Sequence, residues 1–223
     1  MTWLAAAFHL AVKDIRHEIR AREALASMVV FSLLVIVLFH FAFSDLGADA
    51  VVFAPGALWV TFTFSAMIGL ARMFSVEEIN GCLRGLLLCP HDRSVIFAGK
   101  AVGSSVTVCT ASTITLVLFV VMFNLPLGRL LLLWPAMILG IAGVAAVGTV
   151  FSAMSLGTRM RQTLLPVLVL PVILPQVIFG MSTTASILGR PGGSIAGGML
   201  AMVCFTAILT TVSMLVFDHV VVE

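Results

Sequence analysis

Long apolar stretches alternate with short polar ones along the whole chain of 223 residues. Six of these stretches approach or exceed the length of about 20 residues with which an α-helix crosses a bilayer. They cover residues 24–43, 55–74, 101–123, 130–154, 163–181 and 195–217. The pattern predicts an all-α polytopic membrane protein, with six transmembrane helices in a single transmembrane domain over residues 1–223.

The segment before the first span, residues 1–23, has the pattern of an amphipathic helix. One face carries apolar side chains, namely Leu4, Phe8, Val12, Ile15 and Ile19. The other face carries basic side chains and histidines, namely His9, Lys13, Arg16, His17 and Arg20. Such a helix lies in the membrane interface with its basic face toward anionic headgroups. The lipid bilayer is therefore an expected partner, and a mobile basic tail is the alternative.

The longest polar interruption, residues 75–100, lies between the second and third spans. Ser75 and Glu78 have the S-x-x-E spacing of a capping box, which starts a helix. Behind them one helical face is apolar, formed by Ile79, Cys82, Leu83, Leu86 and Leu87. Pro90 ends the helix. We predict a short amphipathic helix that a soluble partner can grip, although the same pattern also fits a helix that lies on the membrane surface without a partner.

The fifth span contains three prolines, Pro166, Pro171 and Pro175. Each proline removes a backbone hydrogen bond that lipid cannot replace. We therefore expect a kinked helix that is broken near Pro171–Pro175 and packed against protein. The segment that follows, residues 182–194, is too long for a minimal turn and is a candidate for a re-entrant loop.

Composition and charge restrict the class and the orientation. The chain is 61% hydrophobic and only 10% charged, against about 25% charged residues in soluble domains. Ten of its 12 lysines and arginines fall on the side of the two termini, and only Arg129 and Arg190 fall on the other. By the positive-inside rule, both termini and the loop at residues 75–100 are expected to be cytoplasmic. No signal peptide is recognisable at the amino terminus.

Groups for energy coupling or catalysis are missing from the sequence. No acidic residue lies in the middle of a span, which argues against a proton relay. Gly99-Lys100 lacks the remainder of a nucleotide-binding loop, and the four cysteines and five histidines show no metal-ligand spacing. The sequence therefore predicts neither an enzyme nor a metal site, and no nucleic-acid partner. Such a protein borrows energy from a partner or acts passively.

The arrangement resembles the permease subunits of ABC-2 type transporters and, more narrowly, the haem exporter protein B family. The stretches that carry the resemblance are Ala-Pro-Gly-Ala-Leu-Trp-Val (54–60), Arg72-Met-Phe74, the loop positions Gly81, Leu83, Pro90 and Lys100, and Val169-Leu-Pro171 with Pro175. Ala71, Asn80 and Arg84 differ from the residues that the family commonly carries there. Trp59 is expected near a membrane interface.

The resemblance implies a function in cytochrome c-type biogenesis at the bacterial inner membrane. It implies two copies of the permease and two cytoplasmic ATPase subunits that bind ATP-Mg, together with a haem-handling membrane protein and a small membrane subunit. ATP hydrolysis then serves to release a haem-loaded periplasmic chaperone. The complex handles haem, but no cofactor is expected to bind this subunit directly.

The resemblance also implies which residues dock the ATPase. They lie in and around the predicted loop helix and are Glu77, Glu78, Ile79, Gly81, Leu83, Arg84, Leu86, Leu87 and Pro90. Two alternatives stay open: an ABC-2 permease for another substrate, such as a drug or a lipid, and a membrane scaffold without transport.

Overall fold

The computed structural model describes residues 3–44, 50–79, 93–125, 128, 130–154, 161–189 and 194–220. These residues form seven α-helices, which are α1 (Trp3–Ala21), α2 (Glu23–Ala42), α3 (Ala50–Ile79), α4 (Arg93–Met122), α5 (Leu130–Met154), α6 (Arg161–Ile187) and α7 (Ile195–Val220). Helices α2 to α7 are each long and apolar enough to cross a membrane. A helix satisfies its backbone hydrogen bonds internally, as the bilayer core requires. The prediction of an all-α polytopic membrane protein is confirmed.

Helices α3 and α5 form the middle of the bundle. In the most apolar stretch of each helix, 67% of the residues are buried in α3 and 61% in α5, against 22% in α2 and 28% in α7. Helix α3 packs against α2, α4, α5 and α6, and α5 packs against α4, α6 and α7 as well. Helices α2 and α7 are therefore peripheral, and much of their apolar surface is open to lipid or to other subunits.

Small residues in α5 bring the central helices close together. A Cβ atom added at Gly140 would lie 2.7 Å from the Trp59 ring, and one added at Gly148 would lie 2.5 Å from Leu70 Cδ1. Such small positions permit close helix approach in lipid, where no hydrophobic force drives helices together. Trp59 is fully buried between these helices, so the side chain packs in the protein core instead of facing a membrane interface.

The prediction that a separate helix begins at Ser75 is wrong. Helix α3 continues without interruption through this residue to Ile79. A capping box needs backbone N–H groups that have no partner, and these exist only in the first turn of a helix. The S-x-x-E spacing of Ser75 and Glu78 therefore lies inside the last turns of α3. The third membrane helix, α4, begins at Arg93, ahead of the apolar stretch at residues 101–123.

The predicted break in the fifth span is wrong. Helix α6 contains Pro166, Pro171 and Pro175 and still runs from Arg161 to Ile187. Packing of α6 against α3, α5 and α7 supports a proline-containing helix at this position. Residues 182–187, which were expected to leave the membrane helix, form its last turns, and hydroxyl groups at this end bond to carbonyls one turn back, as Thr183 does to Phe179 O at 2.8 Å.

Candidate functional site

Three of the residues predicted to dock an ATPase lie at the end of α3. Glu77, Glu78 and Ile79 form the last turn of α3. The remaining predicted docking residues lie outside the described part of the chain, and these are Gly81, Leu83, Arg84, Leu86, Leu87 and Pro90. Their docking role stays a prediction. The described residues do define the helix on each side of this connection, and the start of α4 packs against α1, α5 and α7.

Helix α1 packs along the first third of α4 through two glycines. A Cβ atom added at Gly99 would lie 2.8 Å from Leu10 Cβ and 2.9 Å from the carbonyl oxygen of Ala7. One added at Gly103, a single turn later, would lie 3.2 Å from Asp14 Cβ. A larger side chain at Gly99 would push the helices apart, whereas at Gly103 the Asp14 side chain would have to give way by only a few tenths of an ångström.

The two helices run in the same direction over this contact. At its beginning, the Nε1–H group of Trp3 donates a hydrogen bond to Ser94 Oγ at 3.1 Å. Farther along, Asp14 lies beside Gly103. Because the contacts advance together along both chains, α1 lies alongside α4 and does not cross it at a single point. We call this contact, from Trp3–Ser94 to Asp14–Gly103, the α1–α4 interface.

A buried ion pair lies in the α1–α4 interface. Lys100 Nζ is 3.2 Å from Asp14 Oδ2, and the two side chains are only 6% and 12% exposed. A second lysine, Lys13, approaches Asp14 Oδ1 at 3.6 Å but is 49% exposed. Water screens an exposed pair strongly and a buried one weakly. The Asp14–Lys100 pair is therefore the stronger of the two contacts, and it joins residues that are far apart in sequence.

A second acidic side chain of α1 holds the start of α2. The residue before α2, Arg22, has a left-handed backbone (φ 56°) and offers no side-chain cap. Instead, the backbone N–H of Leu25 donates to Oε1 of Glu18 at 2.9 Å. A carboxylate at a helix N-terminus satisfies a free donor and interacts favourably with the helix dipole. Glu18 thus fixes α1 to α2, while Asp14 fixes it to α4.

The predicted two-faced pattern of α1 is incomplete, because the helix has three faces. The face against α4 contains the buried residues Ala7, Ala11 and Glu18. The predicted apolar face stays open, with Phe8 and Ile19 66% and 59% exposed. The basic face is open as well. The protein therefore leaves the apolar face available for lipid, which is the contact that an amphipathic helix of this kind makes.

The beginning of α4 is also packed on its other side. Ile96 and Phe97 form a small apolar cluster with Ala146, Val150 and Phe217 of α5 and α7. The rings of Phe97 and Phe217 have centroids 5.4 Å apart. The first turns of α4, which follow directly on residues 80–92, are thus held between α1 and the membrane bundle.

Polar groups inside the bundle tie helices together. Gln176 Nε2 donates to Thr206 Oγ1 at 2.9 Å and to Leu139 O at 3.3 Å, which connects α6, α7 and α5. The indole N–H of Trp59 donates to Thr184 Oγ1 at 2.9 Å. Within the described ranges, no group of three or more histidine, cysteine, aspartate or glutamate side chains could hold a metal ion.

Sequence reasoning missed the α1–α4 interface, although a signal for it exists. Gly99 and Gly103 have the small-xxx-small spacing of a close helix contact, and so do Ala7 and Ala11 on the opposing helix. The partner of Lys100 has no local signal, because the residue lies at the end of a polar segment and its burial depends on α1.

The comparison with known families decides which family the chain belongs to. The family described as CcmB protein matches residues 5–221, which is nearly the whole chain. The chain belongs to the CcmB protein family. Like the sequence resemblance, this match extends from α1 through α7, so the α1–α4 interface lies within the family region except for Trp3.

Individual relatives give the same result. The Heme exporter protein B of Rhodobacter capsulatus is 29% identical over 171 residues, which cover 77% of this chain and 78% of the relative. The protein of the same name from Pseudomonas aeruginosa is 26% identical over 205 residues, covering 92% and 91%. That of Paracoccus denitrificans is 28% identical over 199 residues, covering 89% of each. The similarity to these CcmB relatives extends over most of both chains.

Proposed function

We propose that this protein is the membrane permease subunit of an ABC transporter that serves haem delivery in cytochrome c-type biogenesis. The observation that carries the proposal is the CcmB family match over residues 5–221. Relatives that carry the name Heme exporter protein B support haem as the molecule handled by the complex. In this proposal the subunit has no nucleotide chemistry of its own, and a separate ATPase supplies the energy.

The distribution of charge within the described spans supports an external energy source. Among the described residues, the buried charged side chains are Glu18 and Lys100, and both lie at the end of the bundle that carries α1. Proton-driven and sodium-driven transporters place ionisable groups at the middle of the membrane. Energy that arises from ATP hydrolysis has to enter at the cytoplasmic surface, where residues 80–92 connect α3 and α4.

The proposed orientation places both termini and residues 75–100 in the cytoplasm of a bacterium, with the spans in its inner membrane. Six membrane crossings bring the two ends of the chain to one side, and ten of its 12 lysines and arginines lie on that side. Two copies of the subunit would assemble with two ATPase subunits, a haem-handling membrane protein and a small membrane subunit. ATP-Mg binds the ATPase, and no cofactor is assigned to this chain.

The docking part of the proposal is tested with Leu83→Asp. In the proposal the apolar stripe of the loop helix lies in a groove of the ATPase, with Ile79, Leu83 and Leu86 as anchors. A buried aliphatic side chain contributes about 1.5–3 kcal/mol, so an aspartate here should weaken assembly about tenfold or more. We expect co-purification of the ATPase and the amount of covalently haem-loaded cytochrome c to fall together, while the level of the protein in the membrane stays normal.

The matched control is Asn80→Asp, which adds the same charge off the apolar stripe and should change assembly little. A Leu83→Asp variant that still co-purifies with its ATPase and supports cytochrome c maturation would contradict the docking role. Full maturation in a strain without this protein would contradict the proposed function as a whole.

A further inference from the structure

If the ATPase docks on the residues before α4, as proposed, the start of α4 is the first part of the membrane region to receive its force. Residues 80–92 connect directly to it, and the structure holds it on two sides, by the apolar cluster around Phe97 and by α1. The contact with α1 contains a buried ion pair, Asp14–Lys100. Buried pairs often contribute little net stability compared with apolar residues of the same size. Stability alone is therefore a weak reason for this pair.

We propose that Asp14 and Lys100 are positioning residues, which lock α1 to α4 so that the two helices move as one rigid body when the ATPase acts on residues 80–92. Through the Glu18 contact with Leu25, the same motion would reach α2. The inference rests on the proposed function and deepens it, since it names the path by which force passes from the loop to a peripheral span.

The geometry argues that the pair sets the position of α1 along α4. Gly99 receives the side chain of Leu10, an apolar contact without a preferred direction, and Gly103 receives that of Asp14, which bonds to Lys100. An ion pair with Nζ and Oδ2 at 3.2 Å holds only one relative position of the two helices. Lys100 is almost completely buried, so a direct contact of its charge with an ATPase is not available to it.

The first experiment replaces both members of the pair, because removal of one alone would leave the other buried without its partner. The complex with Asp14→Asn and Lys100→Met is purified, reconstituted into lipid nanodiscs, and assayed for haem-loaded chaperone released per ATP hydrolysed. We expect a normal amount of bound ATPase and continued ATP hydrolysis, with at least a tenfold lower ratio of release to hydrolysis. The exchange of charges, Asp14→Lys with Lys100→Asp, should restore a large part of the ratio.

The second experiment replaces the ion pair by a covalent bond. Ala11→Cys and Gly103→Cys are suited to this, because a Cβ atom at 103 would lie 3.6 Å from Ala11 Cα. The two cysteines are added to the variant without the pair, with the four natural cysteines changed to alanine. Oxidation should raise the ratio of release to hydrolysis several-fold, and reduction should remove the gain. The control Lys13→Met, which removes the exposed lysine near Asp14, should leave the ratio unchanged.

The outcomes separate this inference from the proposed function. A normal ratio in the variant without the pair would overturn the inference, since the two charges would then be dispensable. A disulfide that abolishes release when the natural pair is present would also overturn it, because α1 and α4 would have to move apart. A wild-type complex that binds no ATPase or releases no chaperone would contradict the proposed function itself, and the inference with it.

Discussion

Helices approach closely at glycines in two places in the bundle, and different groups occupy the space beside the glycines in each place. In the interior, Gly140 of α5 and Gly180 of α6 leave room for the indole ring of Trp59. At the α1–α4 interface, Gly99 and Gly103 leave room for the side chains of Leu10 and Asp14 and for backbone atoms of Ala7 and Ala11. The first contact is packed with a large aromatic side chain. The second is packed with smaller groups, and one of them belongs to the Asp14–Lys100 pair.

The two contacts have different consequences. The Trp59 contact holds membrane spans together, whereas the α1–α4 interface sets the position of α1 along α4. Aromatic packing against glycine depends on complementary shape, and any shift of the helices costs contact area. At the α1–α4 interface the side chains against the glycines are smaller, and two directional contacts add to their packing: the Asp14–Lys100 pair and the hydrogen bond from Trp3 to Ser94. The first contact therefore suits a static core and the second suits a part that transmits motion. Substitutions can test each side of this comparison.

The largest effect is expected from Gly180→Leu, which disrupts the aromatic contact. A Cβ atom at this position would overlap the ring of Trp59, which is fully buried and cannot move aside. Overpacking of a core costs about 1–3 kcal/mol and occasionally more, and here a branched side chain is added to an existing overlap. We expect a loss of about 3 kcal/mol, visible as a strongly reduced amount of folded protein in the membrane. Gly197→Leu, at an exposed position in α7, is the matched control and should be close to wild type. Equal amounts of the two variants would show that the Trp59 contact is not tightly packed.

A smaller loss is expected from Trp59→Phe, which keeps an aromatic ring and removes the indole N–H. Thr184 Oγ1 then loses the donor that lies 2.9 Å away, and an unpaired buried polar group costs about 1–3 kcal/mol. The midpoint of thermal unfolding in detergent measures the loss. Trp134→Phe removes the same group from a partly exposed tryptophan and should lower the midpoint less. If both variants unfold at one temperature, the Trp59–Thr184 bond adds nothing to the contact.

In α1, which forms the α1–α4 interface, Glu18→Ala removes the carboxylate that caps α2. The loss of a helix cap costs about 0.5–2 kcal/mol. Glu18→Gln keeps an oxygen acceptor for the Leu25 N–H and loses only the interaction of the charge with the helix dipole, about 0.3–1 kcal/mol. Hydrogen exchange of the Leu25 amide should therefore be fastest in the alanine variant and intermediate in the glutamine variant. Equal rates in all three proteins would argue that water caps this helix.

Features that depend on local sequence could be predicted, and features that depend on contacts between helices could not. The six spans follow from length and apolarity alone, because the bilayer imposes both. The break expected at Pro171–Pro175 did not occur, because neighbouring helices support α6. Lys100 was counted as part of a polar loop, and its burial depends on Asp14, a residue of another helix. The small-xxx-small spacing of Gly99 and Gly103 can be read from the sequence, but it does not show which helix packs against them.

The smallest effect is expected at the junction between α1 and α2, with Arg22→Gly. A left-handed backbone such as that of Arg22, with φ 56° and ψ 8°, costs about 1–2 kcal/mol for a residue with a side chain. Glycine removes this cost but loses about 0.5–1 kcal/mol through its greater freedom in the unfolded chain. The net gain is about 0–1.5 kcal/mol, measured as a small rise in the unfolding midpoint. Arg22→Ala removes the same charge and keeps the backbone cost, so it should give no gain. A rise in both variants would assign the effect to the charge of Arg22, and the left-handed turn would then contribute nothing to the position of α1.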